Sequence, residues 1–167
     1  MSTKAQIRAE DYLRMTFEHD AEFVHGEIVE RGMPTYVHGR LEGLIFAEFD
    51  RLRRSHGLYP CLEVRMKIAT DLYRISDVAV LTAPASQEVP EKPPLVVVEI
   101  ISKDDRYSHV RQKLEEYREW GVAYIWVIDP SMKRFWLYNE FGLQNVSSLT
   151  LSEYPFQLTP AELFADL

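Results

Sequence analysis

PPLVVVEIISKDDRYSHVRQKLEEYREWGVAYIWVIDP, residues 93–130, is the stretch that decides the fold. LVVVEII is an apolar, β-branched run with prolines before it and polar residues after it. Such a run is the pattern of a central strand buried on both faces. Asp104 or Asp105 is placed to cap a helix over 106–119, and Gly121 is placed to end it. AYIWVI is a second buried strand, closed by Asp129–Pro130. Strand, helix and strand in succession imply parallel neighbours joined by a right-handed crossover.

Outward from this unit the signals turn antiparallel. Upstream, residues 62–69 and 74–82 are strand candidates, and APASQEVPEKPP is a loop because its four prolines cannot join a central ladder. Residues 36–55 carry a helical period through Leu41, Leu44, Ile45, Phe49 and Leu52, with Gly57 as its stop. AEFVHGEIVERG is a hairpin or bulged pair of strands. Residues 8–18 form a short amphipathic helix offering Tyr12, Met15 and Phe17. Downstream, RFWLYNEFGLQNVSSL is a hairpin turning near Gly142. LTPAELFADL is a final helix with Thr159 as N-cap, Pro160 at N1 and Glu162 at N3. The expected fold is α/β, a mixed central β-sheet flanked by helices with antiparallel hairpins.

The chain has 167 residues, 46% of them apolar, enough for one domain spanning 1–167 with a real core. A single cysteine, Cys61, has no internal disulfide partner, so a reduced, cytoplasmic setting is expected. MSTKAQIRAEDY lacks the apolar segment of a signal peptide, and no run is long enough to span a membrane. Nineteen basic against 26 acidic residues give a net charge of −7. That balance speaks against a non-specific nucleic-acid binder, which needs clustered Lys and Arg. It leaves room for an acidic metal site with a local basic rim.

Three residues carry the chemistry. Glu99 interrupts the apolar run, where an ionised carboxylate is costly unless a cation or hydrogen bonds compensate it. The ordinary alternative is a strand-end glutamate paired with an arginine. Asp77, in YRISDVAVL, sits in a similar context, although alone it would pass for a strand-start aspartate. Together the two acids offer the hard oxygen ligands that Mg²⁺ takes. On the helical wheel of 106–119, Tyr107, Val110, Leu114 and Tyr117 form the apolar stripe. Lys113 falls about 40° from Tyr117, so its ammonium can reach the end of the sheet or snorkel to water. In the first long helix His38, Glu42 and Glu48 lie within the apolar arc. His38 reads first as a hydrogen-bonded core histidine, and Glu42 as a candidate extra acid at a metal site. Arg51, Arg53 and Arg54 read as a solvated helix end. No zinc spacing, phosphate loop or nucleophile elbow is present.

From about Glu22 to Tyr138 the chain resembles the PD-(D/E)XK nuclease superfamily. More closely, it resembles the bacterial restriction endonuclease family first catalogued as a domain of unknown function. AEFVHGEIVE, His38, YRISDVAVL, PPLVVVEIIS and KLEEYREWGVAYIWVIDP carry that resemblance. It implies a restriction-endonuclease-like core and hydrolysis of DNA dependent on Mg²⁺ or Mn²⁺. Asp77 and Glu99 would hold the ion with a backbone carbonyl near Ile100. Lys113 would replace the superfamily lysine, whose usual position is Ile101, and would orient the attacking water. Ser76 replaces the usual proline, Lys103 stands where proline is frequent, and His109 stands where aspartate is frequent. Two cuts in a duplex would call for a homodimer. The competing expectation is a non-catalytic dimeric module that keeps the fold. A carboxylate-pair glycosidase fits poorly, because neither acid sits in the polar, aromatic context of a sugar cleft.

Overall fold

The computed structural model describes residues 7–103 and 105–167. Helix α1 (Ala9–Arg14) leads into the hairpin β1 (Ala21–Val24) and β2 (Glu27–Glu30). Then come α2 (Tyr36–Asp50), α3 (Arg53–His56), β3 (Tyr59–Ala69), β4 (Leu72–Leu81), β5 (Val96–Ile100), α4 (Tyr107–Trp120) and β6 (Tyr124–Asp129). The chain closes with β7 (Arg134–Asn139), β8 (Gly142–Val146), β9 (Leu149–Leu151), β10 (Phe156–Leu158) and α5 (Pro160–Leu163).

One eight-stranded sheet organises the molecule. Its order is β2-β1-β4-β5-β6-β7-β8, with β3 also paired to β4. Only β5 and β6 are parallel, and α4 is the crossover between them. The other pairs in the sheet are antiparallel, as short hairpin connections require. Every residue of β5 is buried, in keeping with its unbroken apolar run.

Strand alternation divides the apolar residues between two faces. Val78, Val80, Val96, Val98 and Ile100 pack on the α2 side with Leu41, Ile45 and Phe49. The Phe49 ring stacks on Phe156 at 4.1 Å between centroids and on Trp126 at 6.0 Å. Ala79, Val97, Ile125 and Val127 pack on the α4 side with Leu114 and Tyr117. Each face is therefore covered by a helix that the sequence supplies at the right place in the chain.

Several local expectations hold with their reasons. His25 and Gly26 have φ of 49° and 89°, the two left-handed residues that a tight hairpin turn requires. Gly121 ends α4 at φ 102°. Thr159 and Glu162 form a reciprocal capping box on α5. Others need correction. Helix α1 stops at Arg14 rather than reaching residue 18, and Leu13 and Met15 are exposed. Tyr107 is 68% exposed, so it does not belong to the buried stripe of α4. Asp105 accepts from the Ser102 N–H at 2.7 Å, while the N-cap of α4 is Arg106 with no side-chain cap. Asp104, the other cap candidate, lies outside the described residues. The β9–β10 pair went unforeseen, because three-residue strands carry too little alternation to be read.

Candidate active site

The site lies where β4 changes neighbours. Along one edge β4 pairs with β3 over nearly its whole length. Along the other it pairs first with β1, through Tyr73 and Leu72, and later with β5, from Val78 to Val80. Among the described residues, Arg74–Asp77 have no strand on that second edge. Their polar backbone groups must be satisfied in another way. Side chains do it. The Ile75 N–H donates to Glu22 at 2.9 Å, and its carbonyl accepts from Lys113 Nζ at 2.7 Å. On the facing strand, the Ile100 N–H donates to Asp77 Oδ2 at 2.6 Å, beyond the point where the β4–β5 ladder stops.

This gap lets groups from both layers meet. Glu99, on the α4 face of β5, accepts from Lys113 Nζ at 2.9 Å and from the Tyr117 hydroxyl at 2.9 Å. Lys113 also lies 3.0 Å from Glu22. The helical spacing of Lys113 and Tyr117, one turn apart on α4, thus serves both oxygens of one carboxylate. Glu22 is held in turn by Arg74 at 2.8 Å, and Arg74 forks onto Glu116 at 2.6 and 2.9 Å. From the other layer, His38 Nε2 stands 3.3 Å from both Asp77 Oδ1 and Glu42 Oε1. Thr35 caps the helix that carries it, accepting from the His38 N–H. Arg31 donates to both Glu63 and Asp77.

Burial and charge set the protonation of these groups. Glu99 is only 9% exposed. Burial and then the neighbouring Asp77 charge push its pKa up from 4.5 to about 7, against the opposing pull of Lys113. Asp77 is 1% exposed. Burial would raise it too, but the hydrogen bond from His38 and the charges of Arg31 and Lys113 prevail and hold it low. Burial would lower His38, yet its contacts with Asp77 and Glu42 prevail and push it up to about 10. For Glu22, burial is outweighed by Lys113 and Arg74, and its pKa is lowered. The two strand acids are thus driven apart, a common signature of a working site.

Two features bear on a metal. His38, Glu42, Glu63 and Asp77 each offer one ligand atom, all within 4.8 Å of one another. The Nε2 of His38 has a single N–H and two carboxylates to serve. Glu42 Oε1 is accordingly buried with that 3.3 Å ion-pair contact but no hydrogen bond of good geometry. A buried carboxylate oxygen so weakly served, within 4.8 Å of three other possible ligand atoms, is chemically suited to a divalent cation, which His38 would join by giving up its proton. Glu99 is outside this group of four, and its two oxygens are engaged by Lys113 and Tyr117. Asp77 is the acid common to both clusters.

Of the residues singled out in the sequence, Asp77, Glu99, Lys113, His38 and Glu42 gather at this gap, and Ile100 meets them through its N–H, whereas its carbonyl is the expected ligand. Lys103 and His109 are exposed, and Arg51 and Arg53 make exposed pairs with Glu48 and Asp50. Glu22, Arg31, Glu63 and Arg74 escaped notice. Glu22 left a trace, as an acid between Ala21 and Phe23 in a strand, and all three are buried. Glu63 and Arg31 left none. Glu63 lies between Leu62 and Val64, which pair with Val78 and Ser76, so it faces Asp77 across the β3–β4 ladder. Its φ of 49° costs about 1–2 kcal/mol for a non-glycine residue.

A family model described as "Uma2: Putative restriction endonuclease" matches residues 9–164. Among solved structures, the chain is similar to a protein from Anabaena variabilis described as a putative nuclease belonging to DUF820. The two share 18% identity and superpose with a TM-score of 0.85, over 95% of this chain and 98% of that one. At that identity the likeness speaks for the fold. No curated protein matches the sequence.

Proposed function

The chain belongs to the Uma2 family, and from that premise we propose that it is a metal-dependent endonuclease hydrolysing phosphodiester bonds of DNA. The observation that carries this reading is the meeting of Asp77, Glu99 and Lys113 at the open edge of β4. Lys113 Nζ is 2.9 Å from Glu99, and Asp77 bonds the backbone of the very next residue, Ile100. Asp77 and Glu99 would hold Mg²⁺ or Mn²⁺ with the Ile100 carbonyl, and His38 and Glu42 offer further donors from α2. When bound, the ion supplies a lowered pKa for water and neutralises charge on the phosphate.

The chain's own groups do the rest. The Lys113 ammonium orients the attacking water and stabilises the charge that grows on the phosphate oxygens. Glu22 and the Ile75 carbonyl hold that ammonium in place, and the Lys113 N–H that bonds Glu99 in the metal-free chain would turn to the water once Glu99 takes the ion. Water attacks phosphorus in line and the bond to the sugar oxygen breaks. Cutting both strands of a duplex requires two sites, which a homodimer supplies. No helix among the described residues is long and apolar enough to cross a membrane. The free, half-buried Cys61 suits a reducing cytoplasm.

The test is cleavage of plasmid and single-stranded DNA with Mg²⁺ or Mn²⁺, by the wild type and by Asp77→Asn. Cleavage should vanish on chelation and in the variant. Cleavage that survives both would refute the reading. A non-catalytic binding module is the second reading, favoured by Arg31, which neutralises Asp77 without any ion. It predicts no cleavage with either metal.

A further inference from the structure

Of the cations buried in the site, Lys113 and Arg31 make contacts that differ in kind. Lys113 touches Glu22, Glu99 and the Ile75 carbonyl. None of these belongs to the four groups whose ligand atoms lie within 4.8 Å of one another. Arg31 touches Glu63 and Asp77, and both belong to that set. Its guanidinium therefore uses carboxylate oxygens that a metal ion in the same cluster would need.

We infer that Arg31 is a built-in counter-cation, which occupies the space between Glu63 and Asp77 and must leave it before a divalent ion can bind there. The inference rests on the metal-dependent reading above and adds to it a competitor within the chain. The local structure suits an exchange. Arg31 follows β2 in a stretch, 31–35, without regular secondary structure. Its backbone is tethered by its N–H to the Asp20 carbonyl at 2.8 Å. The side chain can thus swing on its long stem while the main chain stays in place. Lys113 is different, being carried on α4 and clamped by three acceptors on β1, β4 and β5. Charge points the same way. With Arg31 seated, its single charge offsets only part of the two negative charges of Glu63 and Asp77. A divalent ion, with twice the charge, could replace the guanidinium and also take up the orphan oxygen of Glu42. Because the seated state cannot bind metal, the apparent affinity is reduced by the fraction of molecules in it.

The experiment is a calorimetric titration of the full chain with Mn²⁺ alone. It compares the wild type, Arg31→Gln, Arg31→Lys and the remote control Arg118→Gln, with circular dichroism confirming the fold. Arg31→Gln should bind Mn²⁺ at least about tenfold more tightly, since a seated fraction above nine-tenths imposes that penalty. Arg31→Lys should fall between it and the wild type, because an ammonium cannot fork onto two carboxylates. Arg118→Gln should match the wild type. If Arg31→Gln does not fold, Arg31→Lys carries the test. Wild-type binding with no tightening in the folded Arg31 variants would overturn the role of Arg31 and leave the metal-dependent reading standing. No Mn²⁺ binding by any variant would overturn that reading and this inference with it.

Discussion

Replacing Glu99 by glutamine tests what the buried acid costs the metal-free fold. Its carboxyl titrates at about 7 in the folded chain against 4.5 when free. At about 1.4 kcal/mol per pH unit, holding it ionised at pH 8 costs roughly 3 kcal/mol. A folded pKa above the unfolded one gives stability that is fully present below pH 4.5 and lost as pH rises through 7. Asp77 and Glu22 run the other way, with lowered values, and their contributions disappear only on stronger acidification. His38, raised to about 10, loses its contribution above pH 6.5. Between pH 4.5 and 6.5 the Glu99 contribution is therefore the one that changes most. The Glu99→Gln amide avoids the ionisation penalty and still accepts from Lys113 and Tyr117. The pull of Lys113 on the ionised form is already contained in that value, so the gain is about 3 kcal/mol at pH 8, or about 6–12 °C in melting temperature for a chain of this length. At pH 5, where the native carboxyl is already protonated, the two proteins should melt together. Thermal unfolding with chelator present, at pH 5, 6.5 and 8, measures this. A Glu99→Gln variant that melts lower than wild type at pH 8, or gains equally at every pH, would refute the reasoning. Glu99 would then be a structural partner of Lys113 rather than a strained acid.

Lys113→Ala should reduce DNA cleavage at least about a hundredfold while Mn²⁺ binding persists, because Lys113 touches Glu99 but is not itself a ligand, and the clustered His38, Glu42, Glu63 and Asp77 are left intact. Lys103→Ala should lower it only modestly, since Lys103 is exposed beyond the end of β5. A dead Lys103 variant beside an active Lys113 variant would reverse the assignment. Phe49→Ala removes the fully buried ring between Phe156 and Trp126. It should cost about 3–5 kcal/mol in denaturant unfolding, and a loss under 1 kcal/mol would mean that the α2 face repacks freely. Thr159→Ala breaks the capping box of α5 and should cost about 1 kcal/mol by the same measurement.

Local chemistry made part of the site legible. Glu99 stands out because it breaks a run that is otherwise apolar, where burying a carboxylate is costly, and Asp77 stands out beside it because it leads into the apolar VAVL. Lys113 stands out because α4 has a clear period and the lysine falls beside its stripe. His38 and Glu42 stand out by the same test on α2, where Glu42 is buried and His38 lies against it. Tyr107 shows the limit of that test. A wheel gives direction around the helix but not where along its length the sheet ends, and Tyr107, in the first turn of α4, is 68% exposed.

The sequence by itself determined the strand–helix–strand unit, the hairpins on either side and the acids that face inward, because periodicity and turn chemistry act over a few neighbouring residues. Only the tertiary structure decided that β4 passes from β1 to β5 and leaves Arg74–Asp77 open at one edge. That opening brings Arg31, Glu63, Glu22 and Arg74 to the inward-facing acids. Glu63 reaches Asp77 through the β3–β4 register, and Arg31 arrives from a loop 46 residues away in the chain. Such contacts depend on how distant segments cross, and no local spacing records it.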